Sequence, residues 1–319
     1  MITEGILNIN KPQNMTSHDV VAIVRRTLGI RKVGHTGTLD PMATGVLPVC
    51  IGRATRIMEY LDMDLKKYQC TMELGLMTDT QDIWGNVLER RPVNCSEEEV
   101  REVLSRFCGI IDQKPPMYSA LKVNGKRLYE YAREGKTVDV KTRKIYIRSL
   151  EVLSIFPEGE KTVTFTVECS KGTYIRTICQ DAGMALGCLA VMSELKRVES
   201  GIFTEDDSID PDQLKDMNLS ETEKRLHPVW EPLIHFGEIV TSKEAGLKFS
   251  TGWHLPLKYC EIRKHPEFEK KDFYLPIREE FRRAYNIFAT IDGRMTFLGT
   301  GFYDPNYRKV IADKIFYVR

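Results

Sequence analysis

The stretch VGHTGTLDPMATGVLP, residues 33–48, places a histidine and an aspartate in a loop rich in glycine and proline, directly before an apolar run. Pro41 restricts the preceding Asp40 to extended backbone, and the glycines permit tight turns and close approach of neighbouring chain. Two interpretations stay open at this point. Either Asp40 caps a tight turn and His35 is a satisfied polar residue, or Asp40 is a nucleophile or base at the floor of a cleft.

The sequence on either side of this loop predicts short strands and helices. GILNIN is typical of a strand, and Ser17 is expected to cap a helix that Gly29 ends. After the loop, VLPVCIG is predicted as a buried strand and RATRIMEYL as a helix. From Tyr68 onward, apolar and polar residues alternate, which predicts a half-buried strand starting there.

Further along, helices and strands follow one another without a regular repeat. Ser96 and Glu99 have the spacing of a capping box, so a helix is predicted through SEEEVREVLSRF with Gly109 at its end. KIYIRSLEVLSIF and KTVTFTVECS predict two more strands. Because these elements do not alternate as βα units, the pattern favours an α+β fold over a doubly wound one.

The chain of 319 residues is long enough for a large and a small unit. Residues 1–236 are predicted as the larger unit, and within it the acidic residues 201–236 are expected to be a solvated face or connector. A small β-rich unit is predicted over residues 237–319, with a hairpin turn at Asp292.

Composition limits the function classes. Lys and Arg number 46 against 45 Asp and Glu, so binding to nucleic acid must depend on locally segregated charge. The 8 cysteines and 6 histidines lack metal-ligand spacing, and no glycine-rich phosphate loop is present, so we expect neither a metal nor a nucleotide cofactor. The sequence has no secretory signal and no membrane-spanning run, which predicts a cytoplasmic protein that does not act at a membrane.

A second candidate for chemistry is SKGTYIRT, residues 170–177, where a strand meets a helix. Arg176 falls in the first helical turn, where the helix dipole disfavours a cation. Pairing with Asp40 would satisfy both groups and keep the acid ionised. The alternative is that Arg176 lies on the surface and meets solvent or phosphate.

The third candidate is a basic segment, residues 115–150, which holds nine basic residues against three acids, together with four tyrosines. Basic side chains neutralise phosphates and aromatic rings stack on unpaired bases. Since most surface charge runs mix the two signs more evenly, the pattern favours RNA contact over a merely solvated surface. The basic residues chosen as candidate RNA contacts are Lys122, Lys126 and Arg127.

Four motifs in order, GHTGTLDPMATGVLPVCIGRATR, KKYQCTMELGLMTDTQDIWG, QKPPMYSALKVNGKRLYEYAREG and CSKGTYIRTICQDAGMALG, resemble the TruB family of bacterial tRNA pseudouridine synthases. The resemblance spans residues 5–203. It implies a pseudouridine synthase fold with a mixed, largely antiparallel sheet flanked by helices, followed by a PUA-like RNA-binding unit. Residues 258–285 are longer and more charged than such a unit leads us to expect.

The resemblance also implies roles for individual residues. Asp40 matches the essential catalytic residue, which acts on a uridine flipped out of the tRNA T-loop, with Arg176 beside it. Tyr68 matches the residue that stacks on the target ring. Residues 115–150 match an insertion that closes over the T-arm. The remaining matches, expected to contact RNA or the flipped nucleotide, are His35, Tyr174, Leu195 and, toward phosphate, Lys11.

Leu195 taken alone is equally typical of core packing. The reaction that the resemblance implies converts uridine 55 by exchanging an N1–C1′ bond for a C5–C1′ bond, so no cofactor is expected. The expected partner is tRNA, without a guide RNA, and the expected state is a monomer. Two alternatives stay open: a non-catalytic protein that binds or folds RNA, and a guide-dependent relative.

Overall fold

The computed structural model describes residues 2–269 and 278–318. Part of the expected atypical segment, residues 258–285, therefore lies outside the described residues. The first unit contains the strands β1 (Gly5–Lys11), β2 (Val33–His35), β3 (Thr44–Ile51), β4 (Lys66–Leu74), β5 (Leu76–Thr78), β6 (Val87–Arg90), β7 (Gly109–Gln113), β8 (Lys122–Val123), β9 (Lys126–Arg127), β10 (Arg143–Ile155), β11 (Thr162–Cys169), β12 (Ala190–Ser200) and β13 (Phe203–Thr204).

Within the described residues, nine of these strands form one mixed sheet. Its order is β1–β3–β12–β4–β11–β10–β7, with β2 beside β3 and β13 beside β12. All of these pairs are antiparallel except β12 with β3. The sheet therefore has the mixed, largely antiparallel character that was predicted, and the hairpins β5–β6 and β8–β9 stand apart from it.

Helices pack against this sheet and bury their apolar faces. Helix α1 buries Val20, Val21 and Val24 and ends at Gly29, as predicted. Among the described residues, no helix combines the length and hydrophobicity needed to cross a lipid bilayer. The helices of the first unit are α1 (Ser17–Leu28), α2 (Glu97–Ser105), α3 (Leu128–Arg133), α4 (Ile175–Ala185), α5 (Pro211–Asp216) and α6 (Leu219–Lys224).

Several predicted boundaries move by a few residues. The N-cap of α1 is Thr16 rather than Ser17, since Thr16 exchanges capping-box hydrogen bonds with Asp19. Strand β4 begins at Lys66, two residues before Tyr68, because β12 continues to pair with it there.

Two predicted helices are also shorter or tighter than expected. RATRIMEYL forms the 3-10 turns Gly52–Ile57 and Tyr60–Met63 instead of an α-helix. Helix α2 stops at Ser105, and Gly109 begins β7 with a φ of 99°. Gly109 therefore marks the start of a strand rather than the end of the helix.

The acidic residues 201–236 are packed rather than a solvated connector. Ile209 and Leu214 belong to the core, and the Asp207 carboxylate accepts a hydrogen bond of 2.7 Å from Asn8. The physical reason is the exposed edge of β1, whose backbone groups need partners. The backbone of Ile209 and of His227 supplies them, at 2.9–3.0 Å.

The second unit is β-rich, as predicted, and β14 starts at the predicted boundary, Gly237. Its elements are β14 (Gly237–Thr241), α7 (Lys243–Phe249), β15 (Leu255–Pro256), β16 (Glu261–Lys264), β17 (Ala284–Ile291), β18 (Arg294–Asp304) and β19 (Lys309–Ile315). In the described residues they form a six-stranded sheet in the order β15–β19–β18–β17–β14–β16, a half-barrel consistent with a PUA-like unit. Asp292 and Gly293, with φ of 49° and 80°, make the predicted hairpin turn between β17 and β18.

An apolar core is shared between the two units. Tyr60 lies at its centre, with ring centroids 4.9 Å from Phe236 and 5.4 Å from Phe281. Phe203 from the first unit and Phe316 from the second belong to the same buried cluster. The two units are therefore joined by packed aromatic side chains.

Candidate active site

Asp40 lies in the loop between β2 and β3, and this loop is anchored at the start of α1. The Ser17 hydroxyl accepts a hydrogen bond from Leu39 N at 2.8 Å and donates to Leu39 O at 3.2 Å. The Ala43 amide donates to the Asp40 carbonyl at 3.0 Å, which closes the turn through backbone atoms. The Asp40 side chain is 40% exposed and faces a cavity.

Arg176 pairs with Asp40, as predicted. Its Nη2 lies 3.0 Å from the Asp40 carboxylate, and the side chain is only 7% exposed. The same guanidinium donates to the carbonyls of Tyr118 at 2.9 Å and Thr80 at 3.0 Å, which fixes its plane. The guanidinium is therefore held in one orientation beside the Asp40 carboxylate, where it can donate a charge-assisted hydrogen bond.

A second carboxylate, Asp82, completes this network and was not singled out from the sequence. Its Oδ2 lies 3.4 Å from Arg176 Nη1, and its Oδ1 accepts from Thr80 Oγ1 at 2.8 Å and from Trp84 N at 3.1 Å. Burial raises the pKa of Asp82, against the Thr80 hydrogen bond and the charge of Arg176, which lower it. The signal was present in TDTQDIWG, a carboxylate-containing turn that directly follows a strand.

The cavity has a volume of about 250 Å³, and Asp40 and Arg176 both line it. Tyr68 forms part of its wall and is 8% exposed. Burial raises the pKa of Tyr68, and the charge and hydrogen bond of Arg197 oppose this rise. Leu195 also lines the cavity and packs against the core, in agreement with the core-packing interpretation. Its contact with the nucleotide stays a prediction.

Tyr174 lines the cavity and lies immediately before α4. Its backbone exchanges two hydrogen bonds with the Gln113 side chain, at 2.8 and 3.0 Å. Its ring lies under the Arg143 guanidinium, 4.8 Å from the ring centroid. Tyr174 and Arg143 together present an aromatic face and a positive charge to the cavity.

Lys11 does not reach toward phosphate, so that expectation is wrong. The residue is fully buried, and its Nζ donates to the carbonyls of Met15 at 2.7 Å and Pro12 at 2.9 Å. Burial lowers the pKa of Lys11 to about 8, although the charge of Asp40 acts in the opposite direction. Its ammonium group ties the end of β1 to the turn before α1, which is a structural role.

His35 is half-buried at the end of β2 and is not among the residues that line the cavity. Its ring makes an edge contact with His18 at 5.3 Å. Burial lowers the pKa of His35 to about 4, and the charge of His18 adds to this effect. The ring is therefore neutral near pH 7.

The basic segment lies beside the cavity, but it is shorter than predicted. From Arg143 onward the chain is strand β10 of the large sheet, which leaves residues 115–142 outside that sheet. Lys122 and Arg127 are exposed on the β8–β9 hairpin, whereas Lys126 is paired with Glu134. Ser119 and Ala120 line the cavity, so this segment is in contact with the site.

Comparisons with known proteins match almost the whole chain. The sequence model of the TruB family pseudouridylate synthase N-terminal domain matches residues 25–175, and that of the tRNA pseudouridylate synthase B C-terminal domain matches residues 176–234. A tRNA pseudouridine synthase B from Alkaliphilus oremlandii is 49% identical over 236 residues, 74% of this chain and 77% of the relative. One from Clostridium perfringens is 40% identical over 93% of this chain and 94% of the relative.

A solved structure shows the same fold. A chain of the archaeal box H/ACA sRNP Nop10–Cbf5 complex superimposes with a TM-score of 0.69 at 25% identity, covering 98% of this chain and 85% of that chain. The match extends through the second unit, in agreement with the half-barrel described above. On the sequence matches and the shared fold together, the chain belongs to the TruB family of pseudouridylate synthases, which are isomerases.

Proposed function

We propose that this protein isomerises uridine 55 in the T-loop of tRNA to pseudouridine. The observation that carries the proposal is the ion pair of Asp40 and Arg176, 3.0 Å apart in a cavity that Tyr68 also lines. The name tRNA pseudouridine synthase B, borne by relatives 40–49% identical, supports tRNA as the substrate.

Access to this site requires the target uridine to leave the base stack. Asp40 lines a cavity rather than a flat surface, and a base inside a helix or stacked loop cannot enter such a cavity. Tyr68 on one wall and Leu195 on another provide apolar surfaces between which a flipped uracil ring is held. The free energy that unstacking costs is offset by these contacts and by electrostatic contacts with Asp40 and Arg176.

The chemistry exchanges one bond for another within the same nucleoside. The N1–C1′ bond breaks and leaves its electron pair on the uracil, the ring turns, and the C5–C1′ bond forms. The proton on C5 is lost and N1 gains one, so no atom is added or removed. The Asp40 carboxylate acts at C1′, where positive charge develops, and Arg176 pairs with it and orients it. Tyr68 stacks on the ring and assists removal of the C5 proton.

Binding of the tRNA depends on two surfaces. Residues 115–142 close over the T-arm, with Lys122 and Arg127 directed to phosphates. The half-barrel unit contacts the acceptor side of the same tRNA. The protein acts as a cytoplasmic monomer without a guide RNA, because both surfaces are on the one chain. A protein that only binds RNA has no need of an anion facing phosphate-rich ligand, which favours the enzyme.

The test is site-specific detection of pseudouridine in unmodified tRNA transcript after incubation with the protein alone. We expect modification at position 55 of the natural transcript and none in a matched transcript with cytidine at that position. Modification elsewhere, with uridine 55 untouched, would overturn the assignment of the target. RNA binding without modification would favour the folding role, and modification only after addition of a guide RNA would favour the guide-dependent alternative.

A further inference from the structure

Arg197, on β12, is fully buried beside the cavity and holds the Asp40 loop from both sides. Its Nε donates to the carbonyl of Val46 at 2.6 Å, and its Nη2 donates to the carbonyl of Gly37 at 3.2 Å. One of these carbonyls precedes Asp40 in the chain and the other follows it. A single planar guanidinium therefore spans the two ends of the loop that carries the carboxylate.

The position of Arg197 in the sheet explains this reach. Strand β12 lies between β3 and β4, and Arg197 is the register partner of Gly45 on one side and of Tyr68 on the other. Gly45 has a φ of 100°, and a Cβ there would lie 2.2 Å from the Arg197 carbonyl, so only glycine permits this approach. Arg197 thus contacts the Asp40 loop and the Tyr68 wall from one place.

Burial of the Arg197 guanidinium lowers the stability of the folded protein. Among the described residues, no carboxylate forms an ion pair with Arg197, and its buried Nη1 lacks a hydrogen-bond partner. A buried guanidinium without a carboxylate destabilises a folded protein relative to an apolar side chain of similar volume. The strands around it are already joined by backbone hydrogen bonds. Since its hydrogen bonds to Val46 and Gly37 are to carbonyls that flank Asp40, the cost of burying Arg197 is best explained by the site.

We propose that Arg197 is a positioning residue for the isomerisation: it fixes the Asp40 loop against Tyr68, and so sets the gap in which the flipped uridine is held. The inference rests on the proposed function. The guanidinium also acts on Tyr68 electrostatically, since burial raises the pKa of that tyrosine and Arg197 opposes the rise. Lysine is not an equivalent residue, because an ammonium group lacks the planar and rigid set of donors that a guanidinium presents.

The test compares Arg197→Met and Arg197→Lys with wild type and with Arg106→Met. Arg106 is a matched control because it is an exposed arginine beside α2, paired with Glu102 and remote from the cavity. Three quantities are measured: the single-turnover rate of pseudouridine formation on tRNA transcript, the Kd for the same tRNA, and the Tm.

We expect Arg197→Met to lower the single-turnover rate by about 100-fold, because misplacement of a reacting group by about 1 Å has effects of that size. The Lys variant should be intermediate, the control unchanged, and the Kd of every variant within about threefold of wild type. A purely structural role would lower the Tm and the folded fraction but leave the rate per folded molecule unchanged. That result would overturn the proposal, as would a loss of rate matched by an equal loss of binding.

If the Met variant does not fold, the Lys variant decides. A folded Arg197→Lys protein slowed by about tenfold or more supports the proposal, and one with the wild-type rate contradicts it. The wild-type reaction separates this inference from the proposed function. An inactive wild type refutes the proposed function itself, whereas active wild type alongside equally active Arg197 variants refutes only the role of Arg197.

Discussion

At the scale of single residues, Arg176 organises the site, because its guanidinium forms ion pairs with both Asp40 and Asp82. Arg176 lies 3.0 Å from Asp40, which faces the cavity, and 3.4 Å from Asp82, which is 12% exposed. The two acids are in different surroundings, since Asp82 also accepts hydrogen bonds from Thr80 and Trp84. We interpret Asp82 as the group that orients Arg176, and Asp40 as the group that meets the substrate.

We therefore expect Asp82→Asn to lower the rate of pseudouridine formation by about tenfold, with tRNA binding unchanged. The amide oxygen still accepts from Thr80 and Trp84, but the charge that draws Arg176 Nη1 is lost. Single-turnover rates measure the effect. Asp79→Asn is the control, because Asp79 binds Asn86 in the same turn and does not line the cavity. Equal rates for the two variants would contradict the role of Asp82.

Pairing of Asp40 with Arg176 was predictable, because an arginine in the first turn of a helix is disfavoured by the helix dipole and requires an acidic partner. The buried position of Lys11 was not, since the charge of a residue does not reveal which way its side chain turns. Arg197 was missed for another reason. Its partners are backbone carbonyls of a distant segment, and such contacts leave no pattern of residue types in the sequence.

At the scale of elements, the contact of β3 with β12 depends on Gly45. Alanine there would bring its Cβ 2.2 Å from the Arg197 carbonyl in addition to requiring a φ of 100°. We expect Gly45→Ala to lower the free energy of unfolding by more than about 2 kcal/mol, measured by urea denaturation.

Gly109→Ala is a matched control, because Gly109 has a φ of 99° and no heavy atom lies within 4 Å of the position of a Cβ. Gly109→Ala has the strain of a positive φ but no steric collision. It should therefore lower the free energy of unfolding clearly less than Gly45→Ala does. Equal losses for the two variants would show that the approach of β12 is not the limiting contact.

The β8–β9 hairpin is the element that we assign to tRNA binding. Reversal of charge at Lys122 and Arg127, both to Glu, should raise the Kd for tRNA at least tenfold at about 0.1 M salt and reduce the salt dependence. Filter binding over a range of salt concentrations measures both. The control is the same double reversal at Arg101 and Arg106, exposed positions at α2. An equal effect of the control would mean that net charge, not this hairpin, governs binding.

Most elements were predictable from the alternation of apolar residues, because half-buried strands and amphipathic helices impose it. The 3-10 turns Gly52–Ile57 and Tyr60–Met63 were not, since their burial pattern is set by the second unit packing over them. The end of the basic segment was placed too late for a related reason. Arg143 continues the charge pattern of the hairpin, yet it belongs to a strand of the sheet.

At the scale of the whole molecule, His235 lies where the two units meet. Its ring is close to two carboxylates, pairing with Glu267 and lying 3.6 Å from Asp64, and it packs on Phe268 with ring centroids 4.7 Å apart. Burial disfavours its charged form, but the hydrogen bonds and charges of Asp64 and Glu267 prevail and raise its pKa above 6.5.

Because the folded state binds this proton more tightly than the unfolded state, His235 stabilises the protein below its ordinary pKa, and the contribution is lost as pH rises through the folded-state pKa. We expect His235→Gln to lower the free energy of unfolding more at about pH 5.5 than at about pH 8.5. Urea denaturation at both values measures this. A difference between wild type and variant that does not change with pH would contradict the assignment.

The boundary at Gly237 and the β-rich character of the second unit were predictable from turn residues and periodicity. The acidic residues 201–236 were misjudged, because a run of charge on one face conceals the inward residues of the other. Ile209 and Leu214 join the core, and the same segment covers the edge of β1. Which strand lies at the edge of the sheet depends on how all the strands pair. The sequence of a single segment therefore does not show that β1 needs a covering segment.

The central claim is that the Asp40 carboxylate performs the isomerisation. The most direct measurement is pseudouridine formation at position 55 of tRNA transcript by wild type and by Asp40→Asn, together with the Kd of each protein for the same transcript. We expect the variant to lose turnover by more than about 1000-fold and to bind the tRNA with nearly the wild-type Kd. Turnover by Asp40→Asn within about tenfold of wild type would contradict the account.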